Sequence, residues 1–484
     1  MPKREIVSDL EIAACVFGIA KKHFRIMQVP WYHGRMKDFL KCPNCSLTTH
    51  AQESERCLSC STSFPVIGRL QCFMRDSKRM LSRWSFESQL TLRTLEVGIK
   101  NLDDELNAKV PERKNLNKFM RQRLIAEKDG LRKQLETFGN VMSPFIAIQA
   151  NGGDLGNLPL TQSLTAYQDN ILRDWAWQTD ENDVMLRCML DMLGVKTRFE
   201  LVGVLGCGSG RLASDLCHSL FIDHIALLDA NPWMLSVATH MLSGTTLELC
   251  ERPKAPLSVG DSSKVWTCEG RGLPSQTTAH FLLCDLLGIP PFLNSLDLAV
   301  TPFFIDIVPE PFPDLVKRIN GMLKLGGCWL NGGSLVFRQR LHRHRYGPEE
   351  VVHHIEAGGF KLVAWREFDL PYLASPISRH RRVEKVIFWH AEKTKDRDAP
   401  VPFSHLPPWF DNWDAPVQQS LPLSRSKVMH AVAANILSLV DGRRSLRQMA
   451  AIGAKSLGLT EDETAEAIAN ILRVTWEKHD ILSS

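Results

Sequence analysis

The stretch LVGVLGCGSGRLASDL, Leu201–Leu216, is an apolar run, then glycines at alternate positions, then an amphipathic run. It reads as strand, tight turn and helix. Gly206, Gly208 and Gly210 let the chain turn sharply and let a ligand approach the backbone without Cβ atoms in the way. The pattern by itself admits a phosphate, a dinucleotide or an adenosyl cofactor. A phosphate loop ends in Gly-Lys-Ser/Thr, whereas Gly210 is followed by Arg211 and Leu212. A dinucleotide loop usually carries one more small residue, at the position Arg211 holds.

The residues downstream discriminate further. HIALLDANPWML places Asp229 at the end of the next apolar strand, where it can accept from both ribose hydroxyls of an adenosine. AHFLLCDLL ends a third strand at Asp285, positioned to accept from an adenine amino group. LDLAVTPFFIDIV supplies a fourth strand that begins at Asp297. After the helix PDLVKRINGMLKL, GGCWLNGGSLVF supplies a turn and a fifth strand. Glycine loop, acid, acid and helix-Gly-Gly-strand together resemble the class I S-adenosylmethionine methyltransferase fold. The expected fold class is therefore α/β, with a Rossmann-like core. The alternative is a Rossmann-like domain with an empty or nicotinamide site.

The rest of the chain bounds this reading. At 484 residues about three domains are expected. A composition of 44% apolar and 23% charged residues is that of an ordinary globular protein, and a net charge of +4 is too small to argue for nucleic acid or membrane. The N-terminal apolar patch is broken by Asp9 and Glu11 and lacks a cleavage site, and no run of about 18 uncharged apolar residues occurs. Thirteen cysteines without an export signal point to a reducing, cytoplasmic setting. Five zones are expected: a zinc-ribbon region at 1–75, a charged helical arm at 76–145, the α/β domain at 150–395, a Pro/Trp-rich linker at 396–423 and a small helical module at 424–484. Pro111 should separate the arm into a hairpin or a bent pair.

CPNC and CLSC, eleven residues apart, form two knuckles carrying Cys42, Cys45, Cys57 and Cys60. Four thiolates closing a tetrahedron suit a structural Zn2+, with no position left open for catalysis. Free thiols or a redox pair are the competing reading. The segment LKCPNC to LQCFM resembles the zinc-ribbon activator proteins that partner tRNA and protein methyltransferases. No dense Lys/Arg stripe accompanies it, which speaks against nucleic acid as a partner.

Further segments narrow the resemblance. YQDNILRDWAW with Glu181-Asn182, TPFFIDIV, GGCWLNGGSLVF and the closing FKLVAWREFDLPYLASPISRHRRVEKVIFWHAEK are similar to the carnosine N-methyltransferase family over residues 160–395, about half of the chain. That resemblance implies Arg173 on the methionine carboxylate of the cofactor, Asp229 on the ribose, Asp285 at the adenine and Asp306 facing the acceptor. A helix cap or an ion-paired structural residue is the plainer role for Asp306. The chain departs from the family where Arg338 replaces a substrate-touching histidine and Arg382-Val383 replaces a tyrosine pair. Arginines at 338, 340, 343, 345, 379, 381 and 382 would suit an acidic acceptor or a peptide carboxylate, although most should be solvated. His342 and His344 read as surface residues rather than bases.

The last segment, VMHAVAANILSLVDGRRSLRQMA to EKHDIL, carries a capping box at Thr460 and Glu463 and resembles PqqD-like winged-helix modules that bind precursor peptides; similar small winged helices bind DNA or serve only as docking domains. The expected function is S-adenosylmethionine-dependent N-methylation of a small molecule or peptide, on a histidine- or imidazole-like nitrogen. An RNA or protein methyltransferase with a built-in zinc-ribbon activator, or a non-catalytic cofactor- or peptide-binding scaffold, stand as alternatives.

Overall fold

The computed structural model describes residues 40–47, 56–107, 118–146, 164–403 and 433–471, apart from the side chains of Arg79, Lys455, Ser456 and Leu457 and from residues 338, 340, 442, 459, 466 and 470. Pro111 and the outer parts of the linker and C-terminal zone lie outside the described residues.

Eight of the nine strands of the main sheet surround or extend a single apolar strand. This central strand, β3 (Arg198–Leu205), is buried along nearly its whole length, as a strand covered by helices on both faces must be. β4 (Phe221–Asp229) and β7 (Thr278–Leu283) lie on one side of it, and β8 (Leu296–Pro302) and β9 (Leu323–Gly333) on the other, all parallel. The chain therefore leaves β3 in one direction, returns, and leaves in the other. Such a reversal opens a crevice at the carboxyl ends of the strands, where ligands of doubly wound sheets bind. A long closing hairpin, β10 (Phe360–Tyr372) and β11 (Arg382–Lys393), adds antiparallel to β9. The expected Rossmann-like α/β core is present.

At the opposite edge the sheet crosses the zone border drawn from sequence. The short hairpin β1 (Val66–Ile67) and β2 (Leu70–Cys72) follows the cysteine knuckles, and β2 pairs in parallel with β7. Lys41 donates to the carbonyl of Pro291, and Phe73 to that of Leu283, at 2.8 Å each. Leu40, Cys42, Cys57, Phe64 and Phe73 share one apolar cluster with Leu282, Cys284 and Leu286 of the core. The ribbon thus satisfies the edge of β7 that would otherwise expose unpaired backbone groups.

The charged arm folds as α1 (Ser77–Asn107) and α2 (Lys118–Ile146). They run antiparallel: Lys128 reaches Asp103 at 2.7 Å, and Leu131 packs against Gly98. The arm is packed into the core. Trp84 meets Trp233 edge-on at 4.9 Å, and the Trp233 indole donates to Ser88, which in turn donates to the carbonyl of Trp84. α2 also covers a two-stranded antiparallel sheet that the sequence did not announce, β5 (Thr246–Glu251) with β6 (Lys264–Glu269), inserted before β7.

Four helices position the crevice: α3 (Gln168–Trp175), α4 (Glu181–Leu193), α5 (Arg211–Ser219) and α6 (Pro232–Leu242). α6 starts with a full set of entry signals: Asn231 accepts from the amides of Trp233 and Met234, and Pro232 occupies the first turn. α7 (Phe312–Met322) and α8 (Pro348–Ala357) cover the other half of the sheet. In the C-terminal zone, α9 (Leu446–Leu457) starts at a capping box of Ser445 and Gln448 and ends at left-handed Gly458. Thr460 and Glu463 bond each other's backbone amides as the sequence pattern implies. Ile436, Met449, Ala450 and Ile468 form its small core. No helix among the described residues is long and apolar enough to cross a membrane.

Because Trp84 is fully buried between the arm and α6, Trp84→Ala should lower the unfolding free energy by about 3–5 kcal/mol in urea titrations. A loss below about 1 kcal/mol would mean that the arm is dispensable to the core.

Candidate cofactor cleft and metal knuckles

The glycine loop leaves β3 with Gly206, Gly208 and Gly210 all at positive φ, +68°, +56° and +82°. Their reasons differ. A Cβ on Gly206 would lie 2.6 Å from the Phe304 ring, and one on Gly210 would lie 2.8 Å from Leu242 and 3.0 Å from Ala238. Gly210 works as the left-handed cap of α5 and stands back from the cleft. At Gly208 a Cβ would meet only Met234, at 3.8 Å, so there the bare backbone faces open space.

That space is a cleft at the carboxyl ends of the strands. Gly206, Gly208, Asp229, Asp285 and Arg173, from four separate segments, all line it. Asp229 accepts from the amides of Gly208 at 3.0 Å and Asn231 at 2.8 Å. Burial pushes its carboxyl up to about 6, against the pull of those amides. Asp285 accepts from the amide of Leu287 at 2.9 Å. Tyr167 also lines the cleft, and burial with nearby Asp229 pushes its phenol up to about 12, so it remains protonated.

Arg173 is held in a buried charge cluster. Its Nη2 lies 2.7 Å from Asp174 and its Nη1 3.0 Å from Glu181. Burial acts against its charge, and the two carboxylates override it and hold the guanidinium ionised. Of its five N–H groups, three are taken by these contacts, which leaves donors for a ligand carboxylate. The two flanking carboxylates also give a ligand ammonium group a place to pair.

Asp174 has a second task that the sequence pattern did not reveal. Its Oδ2 accepts from the Ser209 hydroxyl at 2.5 Å, and the Trp175 indole donates to the same Ser209 oxygen at 2.9 Å. Arg211 donates to the carbonyl of Asp174 and to the Asp215 carboxylate, and its guanidinium lies over the Trp175 ring. The residue that argued against a dinucleotide loop thus ties the loop to α3. Trp177 completes the Arg-Asp-Trp-Ala-Trp segment by donating to buried Glu251, which also accepts from Trp266. The signal for all of this was the segment RDWAW itself, whose partners lie 34 to 74 residues away.

The wall past β8 is apolar: Pro302, Phe303, Phe304, Ile307, Val308 and Pro309 line it. Phe303 sits at φ +47°, a strained conformation for an aromatic residue, and its ring packs 5.0 Å from Tyr372 and 5.9 Å from the Arg173 guanidinium. Asp306 is buried but is not among the lining residues. The turn closed by the Ile307 amide on the Phe304 carbonyl puts Phe304 and Ile307 on the cleft and buries Ile305 in the core behind. Among the described residues no histidine lines the cleft; His342 is exposed, and neither it nor His344 reaches it. Arg343, Arg345, Arg379, Arg381 and Arg382 are exposed and also stand outside it, while Arg338 and Arg340 lie outside the described residues.

The cysteine knuckles are built alike. In each, the residue after the second cysteine, Ser46 or Ser61, adopts positive φ and its amide returns to the carbonyl of the first cysteine. All four sulfurs lie within 4.8 Å of one another, with Cys42–Cys60 and Cys45–Cys57 at 3.6 Å. A tetrahedron with Zn–S bonds of about 2.3 Å has edges of about 3.8 Å, so the set fits Zn2+. The Asn44 amide at 3.4 Å from Cys42, and the Asn44 side chain at 3.8 Å from Cys60, offer donors to thiolates.

No protein-family model matches the chain, and no curated protein does. Among solved structures it is similar to the N-methyltransferase NodS of Bradyrhizobium japonicum, at 12% identity over 45% of this chain and 99% of that one, with a TM-score of 0.32. The cyclase SpnF is similar at 13% identity over 49% and 98%, with a TM-score of 0.32. So is a Haloferax volcanii complex of the Trm112 methyltransferase activator with a putative methyltransferase, at 14% over 48% and 96%, TM-score 0.32. Likenesses this distant assign no reaction, which has to be read from the cleft.

Two outcomes test the geometry. Purified protein should carry about one Zn2+ per chain, and Cys57→Ser or chelation should lower the melting temperature of the whole core, since the ribbon is part of its sheet; a metal-free chain with unchanged melting would dismiss the site. Ser209→Ala leaves Asp174 Oδ2 without its donor and Trp175 with the Ser209 carbonyl alone, and should cost about 1–3 kcal/mol of stability by urea unfolding.

Proposed function

We propose that this chain is an S-adenosylmethionine-dependent methyltransferase that methylates a nitrogen of a small molecule or peptide, on an imidazole-like ring. The observation that carries the reading is the convergence of the glycine loop, Asp229, Asp285 and Arg173 on one cleft at the switch point of the sheet. These residues match the parts of the cofactor one by one. The bare backbone at Gly208 admits its close approach, Asp229 accepts from the ribose hydroxyls, and Asp285 accepts at the adenine edge. Arg173 keeps donors for the methionine carboxylate, while Asp174 and Glu181 favour its ammonium group.

Bound there, the cofactor supplies a methyl group on a sulfonium, transferable in line to a nucleophile whose lone pair forms the new bond. The chain's part is positioning and charge. Arg173 would hold one end and Asp229 the middle, and Phe303 and Phe304 of the apolar wall after β8 would orient an acceptor. The absence of a histidine from the described lining, and protonation of Tyr167, favour an acceptor that needs no strong base. A neutral ring nitrogen meets that condition. Positive charge on the acceptor would be stabilised by the aromatic faces of Phe303 and Phe304 in this wall. Asp306 stands behind it and has no assigned contact with the acceptor. Peptide capture by the C-terminal module belongs to the same proposal and rests on its sequence resemblance alone.

S-adenosylmethionine and its demethylated product should raise the melting temperature of the wild type, and Asp229→Ala should abolish the shift. The pH dependence has a definite sign. Asp229 is protonated below about 6 and then loses acceptor capacity for the ribose, so affinity for the product should fall about tenfold per pH unit below that point and level off above it. Asp229→Asn should bind weakly and with a flat profile. No melting shift with either ligand at pH 7.5 would end the methyltransferase reading.

A further inference from the structure

The segment after the closing strand reads in sequence as a linker, yet its first part packs onto the cleft. The Phe403 amide donates to the carbonyl of Leu287 at 2.8 Å, and Phe403 itself lines the same cleft as Asp285. Leu287 therefore serves both sides: its amide bonds the Asp285 carboxylate and its carbonyl holds Phe403. A buried ion pair fastens this arrangement. Arg318 and Glu310, each 1% exposed, are joined by two hydrogen bonds of 3.0 and 2.5 Å. The Arg318 guanidinium also donates to the carbonyl of Gly288, in the Asp285 loop, and to that of Val401, two residues before Phe403. One buried arginine thus cross-links the adenine-side loop, the wall loop ending at Glu310, and the strap that carries Phe403.

We infer that Phe403 is a cofactor-binding residue: it supplies an aromatic face to the adenine ring held at Asp285, so that a strap from beyond the α/β domain completes the nucleoside end of the site. This rests on the methyltransferase reading above and adds a residue to it.

Two ligands separate the ends of the cofactor: S-adenosylhomocysteine, and 5′-methylthioadenosine, which keeps the nucleoside and lacks the amino-acid part. Calorimetric titration of the full chain should show Phe403→Ala weakening both by the same factor, about tenfold, the usual worth of stacking one base on one aromatic ring. Phe403→Tyr should bind both as the wild type does. Phe403→Leu keeps apolar bulk without a flat ring and should lose several-fold for both, which covers the case of an alanine variant that does not fold. Unchanged affinity of the leucine or alanine variant for 5′-methylthioadenosine would overturn the inference while leaving the methyltransferase reading intact. A wild type that binds neither ligand would overturn both.

Discussion

The buried carboxylate of Asp174 is the contact on which the cleft depends. It takes a hydrogen bond from Ser209 in the glycine loop on one oxygen and an ion pair from Arg173 on the other. A carboxylate with no partner at this depth would be expensive to bury, so both contacts have to form together. Their joint formation fixes the distance between the glycine loop and Arg173 across the cleft. Trp175 and Arg211 reinforce the same joint from either side. α3 precedes the α/β core in the chain, but physically it is one wall of the cleft.

The same integration recurs across the molecule. The cysteine knuckles end in a strand that completes the sheet at β7, beside the turn that carries Asp285. The arm contributes Trp84 and Ser88 to the packing of Trp233 at the start of α6. The strap after β11 returns to the Asp285 loop through Arg318. Each of these segments supplies backbone or apolar surface that the core leaves unsatisfied, which explains why zones distinct in composition are continuous in structure.

Much of the core was legible in the sequence because its signals are local. The apolar runs that became β3, β4 and β7, the turn glycines, and the acids at the ends of two strands all lie within about 85 residues of one another. The four-cysteine spacing was equally readable, since two short turns determine where the thiols point. The wall after β8 was not. Asp306 follows an apolar strand just as Asp229 does, yet one turn of backbone decides that Phe304 and Ile307 line the cleft and Asp306 does not. The arginines singled out by their departure from a resembling family are exposed wherever they are described.

The sequence by itself determined the α/β core, the positions of Gly206, Gly208, Asp229 and Asp285 at strand ends, and the two cysteine knuckles, because hydrophobic period and turn chemistry act over a few residues. Only the tertiary structure decided what those ends face. Asp174 finding Ser209, Trp177 finding Glu251, β2 joining β7 and Phe403 reaching Leu287 are pairings between distant segments, made because buried polar groups and strand edges must find partners. No local pattern says which distant group that partner will be.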